Sequence, residues 1–295
     1  MAGRLLKGVA ALAVAGGAAG WWLTAPEPLP ADHLAGLTGD AAAGERVFIA
    51  AGCGSCHTAP DAEAGQGLPI LAGGQRFETD FGTFVAPNIS TDPNHGIGGW
   101  SDMDLANAVQ RGVSPGGAHY YPAFPYTAYA RAGRQDIADL IAYMRTLPAD
   151  ATPSQPHDIT FPFNVRRSLG GWKTLFRNED WVVTGNLDSQ VERGRYLVEA
   201  LGHCGECHTP RNALGGLDRG NWLAGAVNPD GEGRIPDITP EGLGWSAPDI
   251  SAYLESGFTP EFDTAGGTMV SVIKNTSRLS VQDRDAIAAY LVALP

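Results

Sequence analysis

The sequence predicts an all-α fold built as two tandem domains. Three observations carry this expectation. A five-residue pattern, C-x-x-C-H, occurs twice, at Cys53-Gly54-Ser55-Cys56-His57 and at Cys204-Gly205-Glu206-Cys207-His208. The residues around each copy repeat at nearly constant spacing. No alternating apolar–polar run suggests a strand, whereas several stretches carry apolar residues at helical spacing.

The chain opens with an export segment, residues 1–31. Arg4 and Lys7 precede an apolar run from Gly8 to Leu23, with Trp21-Trp22 near its end. A cleaved signal peptide is one reading, with the small residues Ala15 to Gly20 near the scission point. A retained membrane anchor is the other, with basic residues inside and tryptophans at the outer interface. The run is short for a span unless Leu5 and Leu6 are counted. The lack of a clean A-x-A site favours the anchor. Pro26, Pro28 and Pro30 then read as a stiff stalk.

Two domains follow, at 38–148 and 186–295. Gly44-Glu45-Arg46-Val47-Phe48 and Gly194-Arg195-Tyr196-Leu197-Val198 each read as a short helix leading into a C-x-x-C-H motif. Pro87-Asn88-Ile89 matches Pro236-Asp237-Ile238. Gly99-Trp100-Ser101 matches Gly244-Trp245-Ser246, 145 positions on, as do Asp104 with Asp249, Gly112 with Gly257 and Pro115 with Pro260. Asp102–Gly112 and Ala247–Gly257 read as middle helices ending at Gly. Gln135–Leu147 and Val281–Leu294 read as closing helices stopped by Pro, and Ser280 with Asp283 resembles an N-cap with an acidic first turn. The ends match at an offset of 147, Ala142-Tyr143 with Ala289-Tyr290 and Leu147-Pro148 with Leu294-Pro295.

Residues 149–185 match neither half. Prolines 153, 156 and 162 break their start, but Phe161, Phe163, Trp172, Leu175, Phe176 and Trp181 are too apolar for a free linker. An aromatic-rich strap packed across one or both domains is expected.

C-x-x-C-H is the attachment pattern of c-type haem: two thiols form thioethers with the porphyrin vinyls, and the adjacent His offers a ring nitrogen to the iron. The two copies use all four cysteines of the chain. Two disulfides or one zinc site are the competing uses of four cysteines. Neither accounts for the His after each pair. The expectation is therefore two covalently bound haem c groups held by Cys53, Cys56, Cys204 and Cys207, with iron ligated by His57 and His208. The domains are then small, class I-like cytochrome c domains. Haem c is attached outside the bacterial cytoplasm, so a periplasmic location on the inner membrane follows.

The sixth ligands separate the two halves. In the second, Met269 lies shortly before the closing helix and is the only Met after position 144. It is the expected ligand there, and His/Met ligation raises potential above His/His. The offset of 145 maps Met269 onto Phe124, which cannot ligate iron. Met103 maps to Pro248 and Met144 to Leu291, so both read as structural. His119, on the same loop as Phe124, is the favoured ligand of the first haem; His95 or an open iron are the alternatives. His203, the inserted residue before Cys204, is expected at the haem edge or in solvent. Arg211 and, less strongly, Arg76 are candidates to pair with propionates.

Net charge is −12 over 295 residues, which argues against nucleic acid as a partner. No nucleophile–base pairing, phosphate loop or dinucleotide fingerprint is present. Residues 202–212, Phe81-Gly82-Thr83-Phe84-Val85-Ala86-Pro87-Asn88-Ile89, Gly96-Ile97-Gly98-Gly99-Trp100-Ser101 and Tyr121-Pro122-Ala123-Phe124-Pro125-Tyr126 resemble the cytochrome c subunits of membrane-bound bacterial dehydrogenases. These include the alcohol, gluconate and sorbitol types and the dihaem partners of molybdenum hydroxylases. The chain departs from the alcohol type in having two motifs rather than three, and Phe124 where Met is typical.

The resemblance implies electron transfer, from a periplasmic dehydrogenase to quinone, a soluble cytochrome or a terminal oxidase. Two other readings stand beside it. One is a dihaem enzyme, a peroxidase or thiosulfate-type oxidoreductase, using an open first haem. The other is a tethered shuttle serving a respiratory or photosynthetic complex.

Overall fold

The computed structural model describes residues 2–60, 67–229, 231 and 233–294. Pro295, half of the expected terminal Leu-Pro repeat, lies outside them. The chain is mostly helical.

The first helix, α1 (Ala2–Leu23), has 22 residues. At 1.5 Å per residue it is about 33 Å long, matching a bilayer core of about 30 Å. Its window Leu6–Leu23 has mean hydropathy 1.3, and its apolar side chains face out of the fold. The expected stalk does not stand free. Leu29 is buried, its N–H donates to Asn107 Oδ1 (2.7 Å), and His33 bonds Gln110 (2.8 Å). Prolines leave few N–H groups to satisfy, which lets this extended stretch lie along the body.

In the first half, α2 (Ala41–Ala50) is capped by Asp40, whose carboxylate accepts from Ala43 N (2.8 Å). It runs into α3 (Cys53–His57), the first motif. A hairpin follows, β1 (Arg76–Thr79) and β2 (Gly82–Val85), paired Thr79 to Gly82. Then come α4 (Asp102–Ala106), which widens into a π-turn at Asn107–Arg111, α5 (Tyr126–Tyr129) and α6 (Arg134–Met144). The connecting segment holds β3 (Asp158–Ile159) and α7 (Ser168–Phe176).

The second half repeats the order with one added short helix, α10 (Pro240–Leu243). Helix α8 (Ser189–Tyr196), again widened at Leu197–Leu201, leads to α9 (Gly205–His208), the second motif. The short pair β4 (Ala226–Val227) and β5 (Arg234–Ile235) precedes α10, α11 (Ala247–Ser256), α12 (Met269–Thr276) and α13 (Val281–Val292).

The strands are a departure from the all-α expectation. They are two to four residues long, too short to show alternation in sequence. β3 adds to the edge of β2, and Gly82 allows it: a Cβ there would lie 2.3 Å from the Asp158 carbonyl.

The sequence repeats have physical causes. Ser101 with Asp104, and Ser246 with Asp249, form reciprocal capping boxes at the starts of α4 and α11. Gly112 (φ 59°) and Gly257 (φ 77°) end those stretches in the left-handed conformation that glycine adopts without strain. In each half the opening helix crosses the closing one, α2 on α6 and α8 on α13. Gly44 and Gly194 sit at the crossings. A Cβ on either would lie 1.9 Å from a backbone carbonyl, of Asp139 or of Ala286.

Residues 149–185 lie against both halves. Asn88 Nδ2 donates to the carbonyls of Asp150 and Thr152 (2.8 Å each). The buried Lys173 of α7 donates to the carbonyls of Arg111 and Gly112, and sits over the Tyr126 ring. Cations suit a helix C-terminus. On the second half, buried Glu199 accepts from Val182 N (2.6 Å), Val183 N (3.0 Å) and Tyr290 OH (2.8 Å). Glu199→Ala would leave three donors without a partner and is expected to cost about 3 kcal/mol. A denaturant midpoint measures this, and Glu199→Gln, which keeps an acceptor oxygen, should lose less.

Candidate haem sites

Each motif is a single helical turn, so its two cysteines fall on one side and its His follows at the turn's end. All four thiols are free. Desolvation pushes Cys53 and Cys204 up to about 12. They are therefore held as neutral thiols in the chain itself.

The histidines are oriented alike. His57 Nδ1 lies 2.8 Å from the Pro87 carbonyl, and His208 Nδ1 lies 2.8 Å from the Pro236 carbonyl. A carbonyl only accepts, so each Nδ1 carries the proton and each Nε2 keeps a lone pair for a metal. Desolvation also lowers both imidazoles from their ordinary value, keeping them neutral. The chain beyond each motif folds back by matched bonds. Gly73 N donates to the His57 carbonyl (2.7 Å) and Gly225 N to that of His208 (2.8 Å). Ile89 N donates to Leu71 and Ile238 N to Leu223, both leucines fully buried. Thiols, one-sided imidazoles and this doubled cradle fit a covalently attached haem in each half.

Met269 begins α12, partly buried against the main core. Its N–H donates to the Gly266 carbonyl (3.2 Å), as that of Phe124 does to the Tyr121 carbonyl (3.1 Å). The bridges Val113–His119 and Phe258–Thr264 precede them at the same spacing. Phe124 is thus the structural counterpart of Met269, and it sits in an aromatic group with Tyr120, Tyr126 and Tyr129.

His119 lies on the loop that carries Phe124. It is buried, and its Nε2 bonds the Thr24 carbonyl (3.0 Å) at the root of α1. The loop therefore uses this His to hold a segment 95 residues away, a pairing sequence order does not reveal. His95 is exposed on its turn. Arg211, expected to reach a propionate, pairs with Glu206 (2.5 Å) and the Gly215 carbonyl (2.8 Å). Arg76 lies on β1, exposed.

The two motifs lie near one another. Cys56 is pushed up to about 11, first by desolvation and then by the neighbouring Cys207. The Ala51 carbonyl, just ahead of the first motif, accepts from Tyr129 OH (2.8 Å) and from His203 Nε2 (3.3 Å). The Tyr129 and His203 rings meet edge to face at 5.5 Å. His203 thus stands between the motifs. Asn275 Nδ2 donates to Ser55 Oγ (2.7 Å) and Thr127 Oγ1 to Glu206 (2.8 Å), joining each motif to the opposite half. In the second motif, Gly205 admits the Trp222 ring, which a Cβ would meet at 2.0 Å. Sequence reasoning missed Tyr129, Glu199 and the proline carbonyls. The repeated Pro87 and Pro236 were the available signal for the last.

Comparison with known proteins agrees with this chemistry. Residues 41–148 match the cytochrome c family. A diheme cytochrome c-type protein of Cereibacter sphaeroides is 57% identical over 292 residues, covering 99% of this chain and 98% of the relative. The fructose dehydrogenase cytochrome subunit of Gluconobacter japonicus is 38% identical, covering 91% of this chain and 55% of its own length. The cytochrome c subunit of the quinone alcohol dehydrogenase of Gluconobacter oxydans is 35% identical, covering 85% and 54%. The chain therefore spans about half the length of these two subunits. With its two C-x-x-C-H turns and these relatives, the chain belongs to the dihaem c-type cytochrome family that includes dehydrogenase cytochrome c subunits, and it is an electron carrier with two covalently bound haem c groups.

Proposed function

We propose that the chain is the electron-transfer partner of a periplasmic dehydrogenase, held at the inner membrane by α1. It passes electrons to quinone, a soluble cytochrome or a terminal oxidase. The observation that carries this reading is the pair of motif turns, each with its His held on a proline carbonyl and each bonded to the opposite half. Each bound haem supplies an iron that gains and loses one electron. The protein's own part is to fix the imidazoles and hold the two motifs together. Co-purification from native membranes tests the partner: a dehydrogenase subunit should accompany the chain. Recovery with an oxidase or reaction centre alone would favour a shuttle instead.

The same reading divides the chain into an anchor at 1–31, tandem cytochrome c domains at 38–148 and 186–295, and a strap at 149–185. Cys53, Cys56, Cys204 and Cys207 attach haem, and His57 and His208 ligate iron. Met269 is the sixth ligand of the second haem. Met269→Ala should raise the spin state and lower the potential of one haem only, because the loss of a thioether ligand favours the ferric form. An unchanged spectrum, or changes at both haems, would remove Met269 from this role. Phe124 offers the first haem no such ligand, and His119 is committed to Thr24. His119→Ala is therefore expected to leave the haem spectrum unchanged.

A further inference from the structure

The end of α1 is locked onto α7. Arg167, just before α7, donates to the Trp21 carbonyl and stacks over the Trp21 ring at 4.1 Å. The Thr24 carbonyl receives His119 and packs where a Cβ on Gly170 would lie 2.1 Å away. From there the chain runs along α7 to its far end, where Glu27 meets Arg177 (3.8 Å), and on to Leu29 at Asn107. The start of α7 is therefore the part of the strap nearest to the last turn of α1, and its end points away.

The turn immediately before α7 has an unusual surface. Phe161 is 79% exposed, Val165 45% and Phe163 41%, and Trp21, held by Arg167, and Trp22 are exposed as well. The aromatic residues do not fold inward, although Phe163 leans edge-on against Phe81 at 5.0 Å. Arg166 and Arg167 flank them on a chain whose net charge is −12. Arg166 is braced over Tyr121 at 5.0 Å and donates to the His119 carbonyl. Apolar side chains with adjacent arginines suit the boundary between acyl chains and anionic headgroups.

We propose that residues 160–167 form a second membrane contact, lying in the headgroup layer of the bilayer that α1 enters. The inference rests on α1 remaining as an anchor. If α1 spans, its fixed joint to α7 leaves this turn at the surface of the same bilayer. The occupant is lipid, not protein: continuity with the anchor and the two arginines on an acidic chain point to an anionic bilayer. Held at two points, the body is restrained from swinging about Thr24.

The full-length holoprotein is tested in vesicles of phosphatidylglycerol and phosphatidylcholine, with a bimane label on Phe161→Cys or on Val14→Cys. Nitroxide-bearing lipids are the quencher. Label at both positions is expected to lose most of its emission, position 161 to a shallow nitroxide and position 14 to a deep one. Quenching at 14 without quenching at 161 would overturn the second contact while leaving the anchor. Absence of quenching at 14, or loss of residue 14 by cleavage, would overturn anchor and contact together. Substitution at Phe161 is safe for folding because its side chain stands in solvent.

Discussion

Replacing Cys204 and Cys207 by serine is expected to reduce covalently bound haem from two per chain to one. Serine keeps the size and helical spacing of the turn but cannot form a thioether. The geometry makes the effect local. The turn at Cys53–His57 has its own His–proline bond, through His57 and Pro87, and its own fold-back through Gly73 and Leu71. Haem content by pyridine haemochrome, read with haem staining after denaturing electrophoresis, measures the count. The reciprocal pair, Cys53→Ser with Cys56→Ser, should also leave one haem, and the two remaining haems should differ in spectrum if Met269 serves only one, as proposed above. Retention of two covalent haems in either variant would show that attachment lies elsewhere. A chain that fails to accumulate leaves the reciprocal variant and the single Cys207→Ser, which keeps one thioether, to decide.

The largest loss of stability is expected from Gly194→Val. A Cβ at Gly194 lies 1.9 Å from the Ala286 carbonyl and 2.6 Å from the Tyr290 Cβ. Both belong to α13, so no side-chain rotation relieves the overlap, and α8 must move away from α13. Tyr290, fully buried, binds Trp222 and Glu199, so the movement would also disturb the network that holds Val182 and Val183. Overpacking of this kind costs about 3 kcal/mol or more. At this chain length that corresponds to a fall in melting midpoint of about 10 °C. Gly44→Val, at the equivalent crossing of α2 and α6, should behave alike. Gly116→Ala is the control, since the nearest atom to an added Cβ is 4.0 Å away and no strained backbone is involved. Equal midpoints for Gly194→Val and Gly116→Ala would refute the crossing argument.

What could be read from sequence was whatever repeats or stays local. The haem motifs, the capping pairs at Ser101 and Ser246, the glycines that end α4 and α11 and the closing helices are local signals, and duplication doubles each. The contrast between Met269 and Phe124 was legible for the same reason. What escaped depends on groups far apart in the chain. His119 meets Thr24, Glu199 meets Val182, and Tyr129 meets Ala51, and no periodicity encodes such pairs. The short strands escaped because two to four residues carry no pattern. The proline run after α1 misled because its extended backbone is the same whether it stands in solvent or lies along the body.

The shared carbonyl of Ala51 has a kinetic meaning. Two separate carriers must meet by diffusion, and their exchange slows as either is diluted. Here the two halves are one chain, neighbours at any dilution, and Tyr129 and His203, from opposite halves, clasp one oxygen that fixes how they sit. Exchange between the halves is unimolecular by covalent linkage, and the clasp holds the encounter geometry that folding sets. The single residue inserted before Cys204 is His203 itself, so the duplication differs where the halves are fastened together. A twin has become one half of a coupling.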